Sequence, residues 1–253
     1  MTATIERGHA TASMPAQAPK ATKPTNRKPR GFLGTSNGKK AVLAVTGAVM
    51  VLFLVGHVLG NLKIFFGATA FNDYAHWLRH IGEPAVPGRT VLTITEIALT
   101  VSVVAHMWAA VSLARRAAKA RPVKYVARPK WQAQGYVART MRYGGVIILL
   151  FVIWHLLDLT FAAVNPAGSE GLPYQRMVEG FAPGRWPITL FYLVALVMLG
   201  LHLRHGLWSA FQSLGLANGR RYRALRICAT TVSTVLMLAF ASVPISVMIG
   251  VVK

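Results

Sequence analysis

The chain has a single cysteine, Cys228, in 253 residues, and only 7 Asp and Glu. One thiol excludes an intrachain disulfide and a four-thiolate iron-sulfur cluster, so a redox centre bound by this chain alone must use other ligands. No Gly-rich dinucleotide fingerprint is present, so flavin or nucleotide chemistry of that kind belongs elsewhere. Charged residues make up 14% of the chain against 54% hydrophobic, and the mean hydropathy is +0.45. That balance excludes an ordinary soluble enzyme. Base is not scarce: 28 Lys and Arg leave a formal net charge of +21. Such an excess points to nucleic acid or to a membrane surface. The apolar segments decide for the membrane and against nucleic acid, because several approach the length of about 20 residues that crosses a bilayer.

Residues 1–40 are rich in Ala, Thr, Pro, Lys and Arg, a composition that cannot bury enough surface to offset chain entropy, and they read as a basic, disordered cytoplasmic arm. Residues 41–253 read as one all-α integral membrane domain, a bundle of five transmembrane helices. The expected spans are Ala41 to Gly60, Thr90 to Leu113, Gly144 to Val164, Trp186 to Trp208 and Leu225 to Val251. Pro244 is expected to kink the last. The segment FNDYAHWLRH, from Phe71 to His80, reads as a short interfacial helix with aromatic anchors. Basic residues concentrate in the N-terminal arm and in the segments between spans two and three and between spans four and five. Most acids fall in the opposite loops. This asymmetry puts the N-terminus inside and Lys253 outside, in the cytoplasmic membrane. It also gives the inner face a basic surface suited to anionic lipid or a docked soluble partner.

An ionisable side chain inside a membrane segment is costly and therefore a functional candidate. Four of the eight histidines lie there, one in each of the first four spans: His57, His106, His155 and His202. With alternating helix direction, His57 lies about 25 Å and His155 about 17 Å from the inner ends of their spans, while His106 and His202 lie about 24 Å from the outer ends. They sort into an outer pair, His57 with His155, and an inner pair, His106 with His202. Two histidines from two helices at one depth, repeated at a second depth, are what two stacked haem b groups with paired axial imidazoles require. Any single membrane histidine can equally be a hydrogen-bonding group between helices or a proton relay.

Small residues, Gly56 and Gly60 beside His57 and Ser102, Ala105, Ala109 and Ala110 around His106, would let a flat ring approach or simply serve helix packing. His205, one turn after His202 on the same face, is a rival ligand, and Gly206 leaves space beside the His202 ring. Asp158, three residues after His155, is placed to orient an imidazole or to handle quinone protons. Glu83 and Glu96 are further candidates for an outer quinone site. Candidate partners for haem propionates are Arg79, Arg89 and Arg185 on the outer side and Arg139, Arg142 and Arg204 on the inner side.

The segments GHVLGN at His57, VAHMWAAVSLA at His106, IWHLLD at His155 and LHLRHGLWSAFQSLG at His202 resemble the membrane anchor of succinate dehydrogenase and fumarate reductase, in the class with one five-helix, dihaem cytochrome b subunit. The resemblance runs from about Ala41 to the C-terminus. It implies that His57 and His155 ligate a distal haem, that His106 and His202 ligate a proximal haem nearer the soluble subunits, and that His202 is favoured over His205. It further implies electron transfer between a flavoprotein and iron-sulfur subunit pair on the cytoplasmic side and membrane quinone, with menaquinone as the type common in such relatives. This chain would itself do no chemistry on succinate. Some fumarate-reducing relatives carry a glutamate just before the fourth-span histidine, whereas Leu199, Gly200 and Leu201 stand here. The dihaem subunit of a hydrogenase or formate dehydrogenase is the nearest alternative, and a haem-free proton or metal transporter the more distant one.

Overall fold

The computed structural model describes residues 31–120 and 134–253, with the backbone alone for 134–140. Most of the arm, and the side chain of Arg139, lie outside the described residues. Among the described residues seven α-helices follow in order: α1 Ser36–Leu62, α2 Ala68–His80, α3 Thr90–Lys119, α4 Gln134–His155, α5 Pro173–Gly180, α6 Trp186–Ser213 and α7 Tyr222–Met248. No strand occurs among the described residues. The stretches Ser36–Phe66, Thr90–Lys119, Met141–Thr160, Pro183–Ser213 and Tyr222–Met248 are long and apolar enough to cross a membrane, so the chain is an all-α, five-span membrane protein.

The first span begins at Ser36 rather than at Ala41, because Thr35 caps it by accepting from the Gly38 amide. Lys39 and Lys40 are therefore helical. Lys39 is buried, donates to Ser112 Oγ on α3, and lies 5.0 Å from the Trp108 ring centre. Arg116 donates to the Gly34 carbonyl at 2.5 Å, which ties the C-terminal end of α3 to the chain before α1. Helix α1 is the hub of the bundle, packing on α3, α6 and α7, while α6 packs on α4 and α7. Pro244 lies buried inside α7, and the helix continues through it to Met248.

Two apolar clusters hold the interior. Val58, Leu203 and Leu236 join α1, α6 and α7 at mid-height. Ile64, Phe71, Met177, Phe181, Tyr192, Val243, Val247 and Val252 gather the short helices α2 and α5 and the C-terminus at one end. Many large apolar side chains, such as Leu52 and Val101, face outward, as expected where the solvent is lipid.

The expected short helix is α2. Its start follows Gly67, whose φ of 93° turns the chain back from the end of the first span. It lies against α1 at Gly60, where an added Cβ would come within 2.7 Å of the Tyr74 ring. Gly60 therefore serves helix packing and not approach of a flat ring to His57. Helix α5 begins on Pro173 at its first turn, and the Tyr174 amide donates to Asn72 Oδ1 of α2 at 3.0 Å.

Candidate functional site

Four spans each bring one histidine to the bundle interior. His57 of α1 and His155 of α4 have ring centres 5.9 Å apart with planes at 89°. His106 of α3 and His202 of α6 have ring centres 6.3 Å apart with planes at 55°. His205, although only one turn away, is not the ring facing His106. The two pairs occupy different levels. Along α1, Thr46 contacts His106 and His57 lies eleven residues further on, a rise of about 16 Å. Along α6, Tyr192 lies beside His155 and His202 follows ten residues later, a rise of about 15 Å.

Both separations can be set against the geometry of a metal held between trans imidazoles. Two metal–nitrogen bonds of about 2.0 Å and two ring radii of about 1.1 Å put such ring centres roughly 6.2 Å apart. The observed values bracket that figure. His155 Nδ1 and His202 Nδ1, one in each pair, are buried without a hydrogen-bond partner among the described residues. A buried polar nitrogen left unsatisfied costs about 1–3 kcal/mol, so His155 and His202 lack the support at Nδ1 that a neighbouring side chain could give. Cβ atoms built at Gly56 and Gly206 would meet nothing within 4 Å, leaving room beside His57 and His202. The residues present would thus fit a haem at each level, held by His57 and His155 or by His106 and His202.

The surroundings of the pairs differ. The outer one is ringed by aromatics: Phe53 stacks on His57 at 5.0 Å, Phe240 lies 5.7 Å from it, and Phe151 lies 5.7 Å from His155. The inner pair has a polar support that the sequence reading missed. Thr46 Oγ1 donates to the Val42 carbonyl at 2.7 Å and lies 3.0 Å from His106 Nδ1. A hydroxyl has one proton, so with that proton on Val42 the hydroxyl accepts from Nδ1–H of His106 and leaves the lone pair on Nε2. The signal was legible in principle, because Thr46 lies in the inner half of α1, at the depth of His106.

Asp158 does not orient His155. Immediately after His155 the helix widens into a π turn, Leu156–Thr160, closed by the Phe161 amide on the Leu156 carbonyl at 2.8 Å. This turns the fully buried Asp158 carboxylate toward α6 and the following loop. It accepts from Asn165 Nδ2 at 3.1 Å, from Tyr192 Oη at 3.1 Å and from Arg185 Nη1 at 3.4 Å. Asn165 and Tyr192 were not anticipated, since a lone Asn or Tyr near a helix end carries no spacing signal. Arg176, also missed, donates to the carbonyls of Thr160, Ser169 and Gly171 and pins the loop after the π turn.

The other named residues lie apart from the rings. Glu96 pairs with Arg89 at 3.2 Å on the exposed start of α3, and Arg89 itself sits at φ 67° before that helix. Glu83 and Arg79 are exposed around the turn from α2 to α3. Arg185 is held by Asp158, and its Nη2 also reaches the Val164 carbonyl at 3.5 Å. Arg204 on α6 and Arg142 on α4 are both exposed. Trp154 Nε1 and Thr189 Oγ1, in the same helical stretches as His155 and Tyr192, are buried donors without a partner among the described residues.

Residues 117–239 match the family model described as succinate dehydrogenase/fumarate reductase transmembrane subunit. The matched stretch contains His155 and His202, whereas His57 and His106 precede it. No curated protein and no solved structure gives a significant match to the chain. The fourth-span pattern singled out in the sequence lies within the match. The similarity to the succinate dehydrogenase/fumarate reductase transmembrane subunit family thus covers residues 117–239, just under half of the chain.

Proposed function

We propose that this chain is the dihaem cytochrome b anchor of a succinate dehydrogenase or fumarate reductase complex, passing electrons between an iron-sulfur subunit and membrane quinone. The observation that carries the reading is the meeting of four histidines, from four spans, in two pairs with ring centres 5.9 Å and 6.3 Å apart. When bound, haem supplies a one-electron carrier at each level. His57 and His155 hold the outer group and His106 and His202 the inner one. Thr46 keeps the proton of His106 on Nδ1, which fixes the tautomer and orientation of that ligand. The Phe53, Phe151 and Phe240 rings exclude water around the outer pair and lower its local dielectric, a different setting from the Thr46-supported inner pair. Tyr192 lies 6.1 Å from His155, and Trp154 and Thr189 are buried donors without a partner among the described residues in the same helical stretches.

Succinate chemistry, flavin and iron-sulfur centres belong to partner subunits, docked on the basic cytoplasmic end of the bundle. The N-terminus lies on that side and Lys253 on the opposite one. Menaquinone, or another membrane quinone, is the electron partner within the bilayer.

The test is the reduced-minus-oxidised optical spectrum of the detergent-purified complex, with haem counted per chain as the pyridine haemochromogen and the subunits identified in the same sample. Two b-type haems beside a flavoprotein and an iron-sulfur subunit are expected. A colourless preparation overturns the electron-transfer role. Two haems beside hydrogenase or formate dehydrogenase subunits would keep the ligands and replace the enzyme.

A further inference from the structure

At the end of the bundle where the chain enters α1, the described residues carry positive charge and no carboxylate. Among residues 31–120 and 134–253 the acids are Asp73, Glu83, Glu96, Asp158, Glu170 and Glu179, and all belong to the opposite end. On α3 itself the nearest acid to Arg115 is Glu96, about 29 Å away along the axis, several times the screening length of about 8 Å at physiological ionic strength. The charge of this end is therefore not met by the described part of the chain.

Within it lies a shaped cleft of about 290 Å³ lined by Trp108, Val111, Ser112, Arg115, Arg116 and Lys119. Two of the cations at this end are held within the chain. Lys39 donates to Ser112, and Arg116 donates to the Gly34 carbonyl and, at 3.4 Å, to Ser36 Oγ. Arg115 and Lys119, exposed and one turn apart on the same face, form no ion pair among the described residues. Trp108 also lines a second hollow, an apolar groove of about 590 Å³ between α1 and α3 that includes Leu33, Val42, Val101, Val104 and Ala105. A basic cleft and an apolar groove thus share one wall. Val101 lies about 21 Å along α3 from Arg115, close to the roughly 20–22 Å thickness of one leaflet with its headgroups. A half-exposed Trp at the junction is the side chain suited to the level where headgroup meets hydrocarbon.

We propose that this two-part site binds one anionic phospholipid, with its phosphate on Arg115 and Lys119 and an acyl chain along the groove between α1 and α3. Charge complementarity selects the anionic headgroup, and the groove distinguishes a lipid from a bare anion. The assignment does not depend on haem or on quinone.

Native mass spectrometry of the full-chain complex, titrated with phosphatidylglycerol or phosphatidylcholine, tests it. One phosphatidylglycerol per chain is expected to be held in preference to phosphatidylcholine. At about fivefold for each cation near the surface, the double variant R115Q/K119Q should hold it about 25-fold more weakly. The variant R220Q/R223Q, which removes the same charge just before and in the first turn of α7, should change retention less than twofold. V104W, which fills the groove at an outward-facing position without altering charge, should also weaken retention. Equal retention of the two lipids, or an equal loss in R220Q/R223Q, would overturn the site. So would inorganic phosphate displacing the lipid with V104W inert, which would mark a bare anion site. Phosphatidylglycerol binding only after the soluble subunits are stripped away would assign the cleft to an acidic partner surface instead.

Discussion

Replacing Thr46 with Val removes one hydroxyl from the inner level while keeping the shape of the side chain. The Val42 carbonyl loses a second acceptor bond of 2.7 Å but remains within the helix ladder, so that loss is small. His106 Nδ1 loses its partner at 3.0 Å, and its proton is left without an acceptor in a half-buried site. An unmade hydrogen bond of this kind costs about 1–3 kcal/mol. Loss of an outer-shell partner from a metal-bound histidine costs about 10- to 100-fold in affinity, which is roughly 1.4–2.7 kcal/mol. The two figures agree. In a haem titration of the apo complex, followed by difference spectra, T46V should therefore weaken the inner group 10- to 100-fold and leave the outer one unchanged, and T46S should restore it. Equal occupancy of both levels in T46V, or selective loss of the outer group, would refute the role given to this hydroxyl.

Three further outcomes follow from the packing. Asp158 is fully buried and accepts from Asn165, Arg185 and Tyr192, so D158A leaves a mostly buried guanidinium unpaired; thermal unfolding of the solubilised complex should show a loss of about 3–5 kcal/mol. A loss below about 1 kcal/mol would mean that this cluster does not hold the end of the fourth α-helix. G60A drives a Cβ to within 2.7 Å of the Tyr74 ring and should cost about 1–3 kcal/mol with no change in haem count, whereas G184A meets nothing within 4 Å and should be neutral in the same melt. The exposed Arg89–Glu96 pair should contribute less than about 1 kcal/mol, so E96Q should melt within a few degrees of the parent; a larger drop would show that Glu96 has a partner other than Arg89.

The spans were legible because length and hydropathy alone decide what crosses a bilayer, and the grouping of His57 with His155 and of His106 with His202 follows from helix rise and alternating direction. Such arithmetic works along the axis and carries nothing about rotation around it. It therefore left His205 open beside His202, and it aimed Asp158 at His155. The π turn that redirects Asp158 is stabilised by partners at sequence separations of 7, 27 and 34, from Asn165, Arg185 and Tyr192, which no local pattern encodes. The first span starts before its apolar run: Lys39 and Lys40 read as the end of a basic, disordered cytoplasmic arm, whereas Lys39 is buried against Ser112 and Trp108 across the helix interface. Helix α5 is only 8 residues long and shows no apolar run, so its one sequence signal was Pro173 at the first turn. Thr46 is legible by the same arithmetic, since it lies in the inner half of α1 at the depth of His106.

The central claim is that four histidines form two independent ligand pairs. The most direct measurement is the haem count, by pyridine haemochromogen and difference spectrum, of the complex carrying H57A, H106A, H155A or H202A one at a time. H57A and H155A should lose the same haem and keep the other, and H106A and H202A should do the converse, with H205A retaining both. Two haems surviving in any of the four, or H57A sharing its spectrum with H106A and not with H155A, would contradict the pairing.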